Sequence, residues 1–268
     1  MHARDVQRHL RDMDGGWVDP DETVDTFKVG DPGTEVEAIA VAWMSTAAAL
    51  ERAADLGCDL FVTHEPTLYT HRDERDPDFS GPAREQVRRK ADLVADLDMA
   101  VLRCHDLWDR FPEEGVPDSW GRQLLPDAER VGSEGYFRVF DRGEAAPARA
   151  VAAAFAGRID QRSVELVGPG DEPVRRVCVG TGAATPFRRM WREYDADLYV
   201  CSDDGFTYWQ DGALAADAGV PVVVANHGTS EEAAMASLAA HLDRTFDVPV
   251  HHLEQGCQFT LVGAADER

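Results

Sequence analysis

Apolar residues along the chain come in short dense runs that alternate with longer stretches where they recur at helical spacing. Residues 36–43 predict a strand, 45–56 a helix stopped by Gly57, and 59–63 a second strand, glycine being the usual residue just past a helix C-terminus. A helical stretch over 82–97 leads into a strand at 99–104. The second half repeats the alternation, with strands at 174–180, 197–201 and 220–225 and helices at 186–194, 208–218 and 230–246. Such alternation predicts an α/β fold with mainly parallel sheets, built as two βαβ-rich lobes. The chain, 1–268, reads as one unit with lobe 1 at about 1–125 and lobe 2 at about 171–268. Between them lies a less regular middle at about 126–170, punctuated by Pro126, Pro147 and Pro169 and holding an Ala-rich helix over 147–156. Residues 248–262 are expected to return as one or two strands.

Three of the predicted strands end on histidine. Phe61-Val62-Thr63 runs into His64-Glu65-Pro66; the strand through Cys104 runs into His105, with Asp109 four residues on; and Val224-Ala225-Asn226 runs into His227, with Glu231 four residues on. An open α/β sheet gathers ligands at its strand ends, so these imidazoles and carboxylates predict a site for two metal ions in one crevice. Pro66 biases Glu65 toward an extended backbone, which makes the neighbouring side chains diverge, His64 toward one ion and Glu65 toward the other. Thr229 or Ser230 is the expected cap of the helix that carries Glu231. Each motif also has a plainer reading: Glu231 as a carboxylate in a helix's first turn, Asp106 as a cap, Asp109 as a loop charge. A donor set of imidazole and carboxylate suits zinc, manganese, iron or nickel. Paired ions polarise a substrate oxygen and acidify water, so a hydrolase acting on a small molecule is the expected chemistry, with Asp109 or Glu231 between the ions and Glu65 or Asp204 carrying protons. The alternative is a non-catalytic metal-binding or regulatory protein.

Charge narrows the partners. The net charge is -23, from 50 acidic against 27 basic residues, which argues against a nucleic-acid partner. Lys28 and Lys90 are the only lysines, and the dense basic stretch 84–90 reads as a solvated helix face. No apolar run approaches the about 18 residues of a membrane span, and no secretory leader is evident, so a cytoplasmic protein without a membrane partner is expected. Cys58, Cys104, Cys178, Cys201 and Cys257 form no C-x-x-C pair and read as reduced thiols. His71-Arg72-Asp73-Glu74 is a candidate pocket edge or a polar loop. Ser202-Asp203-Asp204-Gly205 is a turn at another strand end. Gly180-Thr181-Gly182 is a tight turn whose amides could hold an anion. His251 and His252 read as structural, and no Gly-x-Ser-x-Gly elbow occurs.

Together, Cys58-Asp59-Leu60-Phe61-Val62-Thr63-His64-Glu65-Pro66, Cys104-His105-Asp106-Leu107-Trp108-Asp109 and Ala225-Asn226-His227-Gly228-Thr229-Ser230-Glu231 resemble the Nif-three-like dinuclear metal-centre proteins, a family that includes type 2 GTP cyclohydrolase I homologues. The resemblance implies two related lobes, a dinuclear site between them, a homohexameric toroid, and ligand roles for His64, His105, Asp109, His227 and Glu231. It makes a nucleotide such as GTP one candidate substrate. Glu65 departs from the commonest family pattern, which has a second histidine there, and would serve as a harder ligand or a general base.

Overall fold

Apolar runs without polar interruption become the central strands of two sheets, because only a strand covered on both faces buries every side chain. The computed structural model describes residues 1–73, 80–260 and 262. The first half contains α1 (Ala3–Asp12), β1 (Phe27–Val29), β2 (Ile39–Ala42), α2 (Ala47–Asp55), β3 (Leu60–Thr63), α3 (Pro82–Asp96), β4 (Ala100–Arg103) and α4 (Val116–Leu124). There follow β5 (Glu129–Glu134), β6 (Phe137–Pro147), α5 (Ala148–Arg158), β7 (Glu165–Val167), β8 (Pro173–Val179) and α6 (Phe187–Glu193). The chain continues through β9 (Leu198–Ser202), α7 (Ala213–Ala218), β10 (Val222–Ala225), α8 (His227–Thr245) and β11 (Val250–His252).

The first sheet has the order β1-β4-β3-β2-β11, parallel except for the β1–β4 pair. The second has the order β5-β6-β8-β9-β10-β7, and here only β8–β9 and β9–β10 are parallel. The expectation of mainly parallel sheets therefore holds for the first sheet and is corrected for the second, whose β5–β6, β6–β8 and β10–β7 pairs are antiparallel. The difference lies in residues 126–170, read as an irregular middle. They supply β5 and β6 as a hairpin turning at Gly135 (φ +52°), then α5 and the edge strand β7. The polar residues of β5 and of the exposed second half of β6 mask these strands, and Pro147 closes β6 at its end rather than interrupting it.

Residues 227–252 also cross the expected lobe boundary. Although α8 leaves β10 of the second sheet, its Ala234, Met235, Leu238, Ala239 and Leu242 pack with Ile39, Val41, Leu60, Val62 and Trp108 on the first. Trp108 Nε1 donates to the Ala234 carbonyl at 2.9 Å, and β11 then pairs with β2. The cap of α8 is Asn226, whose side chain accepts from the Thr229 amide at 3.2 Å, so the helix starts earlier than expected and Thr229 and Ser230 lie in its first turn. Only 250–252 of the expected C-terminal strands forms; 253–260 has no regular structure and Leu261 lies outside the described residues.

Other expectations are resolved by packing. Arg88 and Arg89 are exposed and paired with Glu85, but Lys90 turns inward, 2% exposed, its ammonium 4.6 Å from the Tyr69 ring centroid and its pKa pushed down to about 8 by burial. Lys28 is likewise shielded beside Asp73 at 3.8 Å. All five cysteines are free thiols, with Cys257 alone partly exposed. Among the described residues no helix is long and apolar enough to cross a membrane. Because α8 carries apolar contacts for the first sheet, Leu238→Ala should lower unfolding free energy by about 2–5 kcal/mol, read from urea denaturation.

Candidate metal centre

The centre is built from the end of β3 outward. His64 is fully buried, and its Nδ1 lies 3.0 Å from the Cys104 carbonyl at the end of β4. That carbonyl can only accept, so Nδ1 carries a hydrogen and Nε2 is the nitrogen turned to the carboxylates. Nε2 is 3.3 Å from Asp109 Oδ1 and 3.3 Å from Glu231 Oε2, yet makes no hydrogen bond to either among the described residues. Two carboxylates thus converge on one buried imidazole nitrogen.

His105 stacks on His64 with ring centroids 4.7 Å apart. Asp106 Oδ1 takes the His105 Nδ1 side at 3.0 Å, which turns Nε2 toward Asp109 Oδ2 at 3.7 Å. Asp106 is therefore an orienting partner rather than a helix cap. The segment is held from below by Asp25, whose carboxylate accepts the amides of His105, Asp106 and Leu107 at 2.6, 2.9 and 2.9 Å.

Glu231 reaches in from the second turn of α8 and is 2% exposed. Trp43 Nε1 donates to its Oε2 at 2.8 Å, and its Oε1 lies 3.0 Å from His227 Nε2 on the same helix face. Glu231 therefore spans His64 and His227. His227 Nε2 is 3.6 Å from Glu65 Oε1, while its Nδ1 is bonded to Asp204 Oδ2 at 2.7 Å. The other Glu65 oxygen is 3.6 Å from Nη2 of the buried Arg103, which also donates to the His64 carbonyl at 2.7 Å and to the His71 carbonyl.

All six residues read as ligands thus converge. Donor atoms of His64, His105 and Asp109 lie within 4.8 Å of one another, as do those of His64, Glu65 and Glu231. Two details differ from the sequence reading. His64 faces both groups instead of one, and Asp204 is engaged as the orienting partner of His227, which takes one of its oxygens out of proton traffic. Asp25, Trp43 and Arg103 were not anticipated, since no spacing marks them.

Protons are drawn to the same place. Burial pulls His64 down, but Glu231 and Asp109 outweigh it and hold its pKa well above the histidine range. His227 is likewise opposed by burial and pushed up to about 10 by Glu231, Glu65 and Asp204. Glu231, despite its burial, is held well below the carboxylate range by His227 and His64.

The centre opens into a cavity of about 660 Å³, lined by Glu65, His105, Asp109, His227 and Glu231 on one side and, among the described residues, by no lysine or arginine. Gly182, in the predicted Gly-Thr-Gly turn, closes against it with φ +65°, and a Cβ there would sit 3.3 Å from His227 Nε2. His71 is at the rim, edge-on to His105 at 5.7 Å between centroids; Glu74 of the same motif lies outside the described residues. His252 bonds Glu232 at 2.7 Å and is structural.

The family model described as Duf34/NIF3 (NGG1p interacting factor 3) matches residues 25–256. The chain belongs to the Duf34/NIF3 family. No curated protein sequence matches it. Among solved structures, protein ybgI, described as of unknown function, aligns with TM-score 0.79 at 18% identity, covering 96% of this chain and 99% of its own. A Bacillus cereus protein related to NIF3 aligns with TM-score 0.79 at 14% identity over 98% and 99% of the two chains. Reduced HcgD from Methanocaldococcus jannaschii gives TM-score 0.73 at 17% identity over 95% and 98%. At these identities the likeness establishes the Duf34/NIF3 fold, a mixed α/β arrangement of two sheets.

Within this family member, Asp25→Ala should strand three amides beneath His105, costing about 1–3 kcal/mol in chemical denaturation. It should also lower metal retention, measured by elemental analysis after dialysis; unchanged retention would show that the His105 segment holds its shape without Asp25.

Proposed function

We propose that the chain is a metal-dependent hydrolase that holds two divalent ions and acts on a small molecule, with nucleotides and other phosphoesters the first candidates. The observation that carries this reading is the buried His64 Nε2 facing Asp109 and Glu231 at 3.3 Å each without a hydrogen bond. Two carboxylates converging on one buried position call for a cation there, a proton in the metal-free protein and a metal ion once it displaces that proton. His64, His105 and Asp109 would hold one ion and Glu65, His227 and Glu231 the other, with His64 and Glu231 between the two groups. The mixed imidazole and carboxylate set fits zinc, manganese, iron or nickel. Such ions, when bound, polarise a substrate oxygen and lower the pKa of water.

The remaining steps belong to the chain. Trp43 and Thr181 hold Glu231, Asp106 and Asp204 orient the rings of His105 and His227, and the Cys104 carbonyl keeps the His64 Nδ1 side protonated. Glu65 would hold its ion through one oxygen and keep the other to take and return a proton: among the described residues its nearest cationic nitrogens lie at 3.6 Å, and it lines the cavity. The open cavity favours catalysis over a structural ion, which protein ligands would close off.

Elemental analysis of untagged protein should find about two ions per chain. His64→Ala should lose both, His227→Ala chiefly one, and the loaded protein should hydrolyse members of a nucleotide and phosphoester panel that the variants leave intact. Folded protein that stays metal-free after incubation with zinc, manganese and iron would sink the proposal. Metal uptake should also release protons. His64 and His227, with raised pKa values, are protonated in the metal-free protein at pH 7.5, so metal affinity should fall as pH falls. Calorimetry in buffers of different ionisation enthalpy checks this, and identical heats in all of them would contradict it.

A further inference from the structure

Tyr136 occupies the tip of the β5–β6 hairpin, directly after Gly135, and brings a phenol from the second sheet to the cavity of the metal centre. Its oxygen accepts two hydrogen bonds from one guanidinium, Arg110 Nε at 3.0 Å and Nη2 at 2.6 Å. The Arg110 carbon lies 4.9 Å from the ring centroid, and its Nη1 bonds the Trp17 carbonyl, so the fork is pinned at both ends. A hydroxyl can accept two hydrogen bonds and donate one. With both acceptor positions taken by Arg110, the only capacity left to Tyr136 is its own proton, which has no acceptor among the described residues.

The rest of the cavity explains what that proton is for. Its lining holds Glu65, Asp109, Asp204 and Glu231 and, among the described residues, no lysine or arginine. The amides of Gly182, Ala183 and Ala184, which line it too, make no hydrogen bond among the described residues. A substrate lodged there meets the ions on one side and uncharged donors on the other. We propose that Tyr136 donates a hydrogen bond to an anionic oxygen group of the substrate, a phosphate or similar tetrahedral oxyanion, and that Arg110 is the positioning residue that fixes the phenol. This rests on the two-ion reading of the centre. Arg110 sits next to Asp109 in the chain, so one short segment would set both an ion ligand and the phenol that faces it.

Inorganic phosphate serves as the probe, titrated calorimetrically into manganese-loaded protein whose metal content is measured in the same preparation. The variants are Tyr136→Phe, which keeps the ring, Arg110→Lys, which keeps the charge but not the fork, and the double substitution. Phosphate should bind the loaded parent chain. Tyr136→Phe should weaken it about 10- to 100-fold at unchanged metal content, the range for a hydrogen bond to a charged group. Arg110→Lys should weaken it in the same direction, and the double variant no further than Tyr136→Phe alone, because Arg110 acts through the phenol. Full metal content with phosphate affinity unchanged in Tyr136→Phe, or a loaded parent chain that ignores phosphate, would overturn this proposal and leave the metal centre standing. Additive losses in the double variant would overturn the positioning role of Arg110. A parent chain that takes up no metal would overturn both readings together.

Discussion

The interior of this protein is organised around a concentration of negative charge at one buried atom. Asp109 Oδ1 and Glu231 Oε2 both turn toward His64 Nε2. Left alone the two carboxylates repel, and burial strengthens that repulsion. Each neighbour keeps them there. The Cys104 carbonyl sets the His64 tautomer, the Trp43 indole fixes the Glu231 carboxylate, and Asp25 clamps the segment that carries His105 and leads to Asp109. On the proposed reading, a divalent ion would relieve the repulsion that these supports hold in place.

The same constraint couples the two sheets. Glu231 and His227 come from a helix that begins at the last parallel strand of the second sheet and buries its apolar side on the first. The Trp108 indole, four residues from Cys104, bonds the backbone of that helix. Relative motion of the sheets would therefore have to break packing around Leu238 before it could part His64 from Glu231. Rigidity at the centre follows from topology rather than from extra bonds between the ligands.

The residues meeting at the centre were largely legible because each follows an apolar run that had to be a strand, and strand ends collect at one edge of an α/β sheet. His64, His105 and His227 carry that signal. What surrounds them was not legible. Asp25 lies in a stretch with little periodicity, and its use depends on a bend 80 residues later in the chain. Arg103 reads as the polar end of a strand, yet folds fully buried behind Glu65. The antiparallel wing of the second sheet was missed because β5 is mostly polar and exposed, with Val131 its one large apolar residue, so no apolar run marks it. The partnership of α8 with the first sheet is a long-range choice that no local pattern encodes. Local patterning places chemistry at strand ends, while orientation of that chemistry comes from residues recruited across the fold.

The route of the chain has a consequence for its synthesis. The outer strand of the first sheet is β11, and the helix covering that sheet's inner face is α8, both drawn from the last stretch of the sequence. The strands of the second sheet are all present once β10 has emerged from the ribosome, whereas the first, although begun earlier, keeps an apolar face and a strand edge open until α8 and β11 have followed it. The first sheet and the centre therefore cannot be completed before the second sheet has been made.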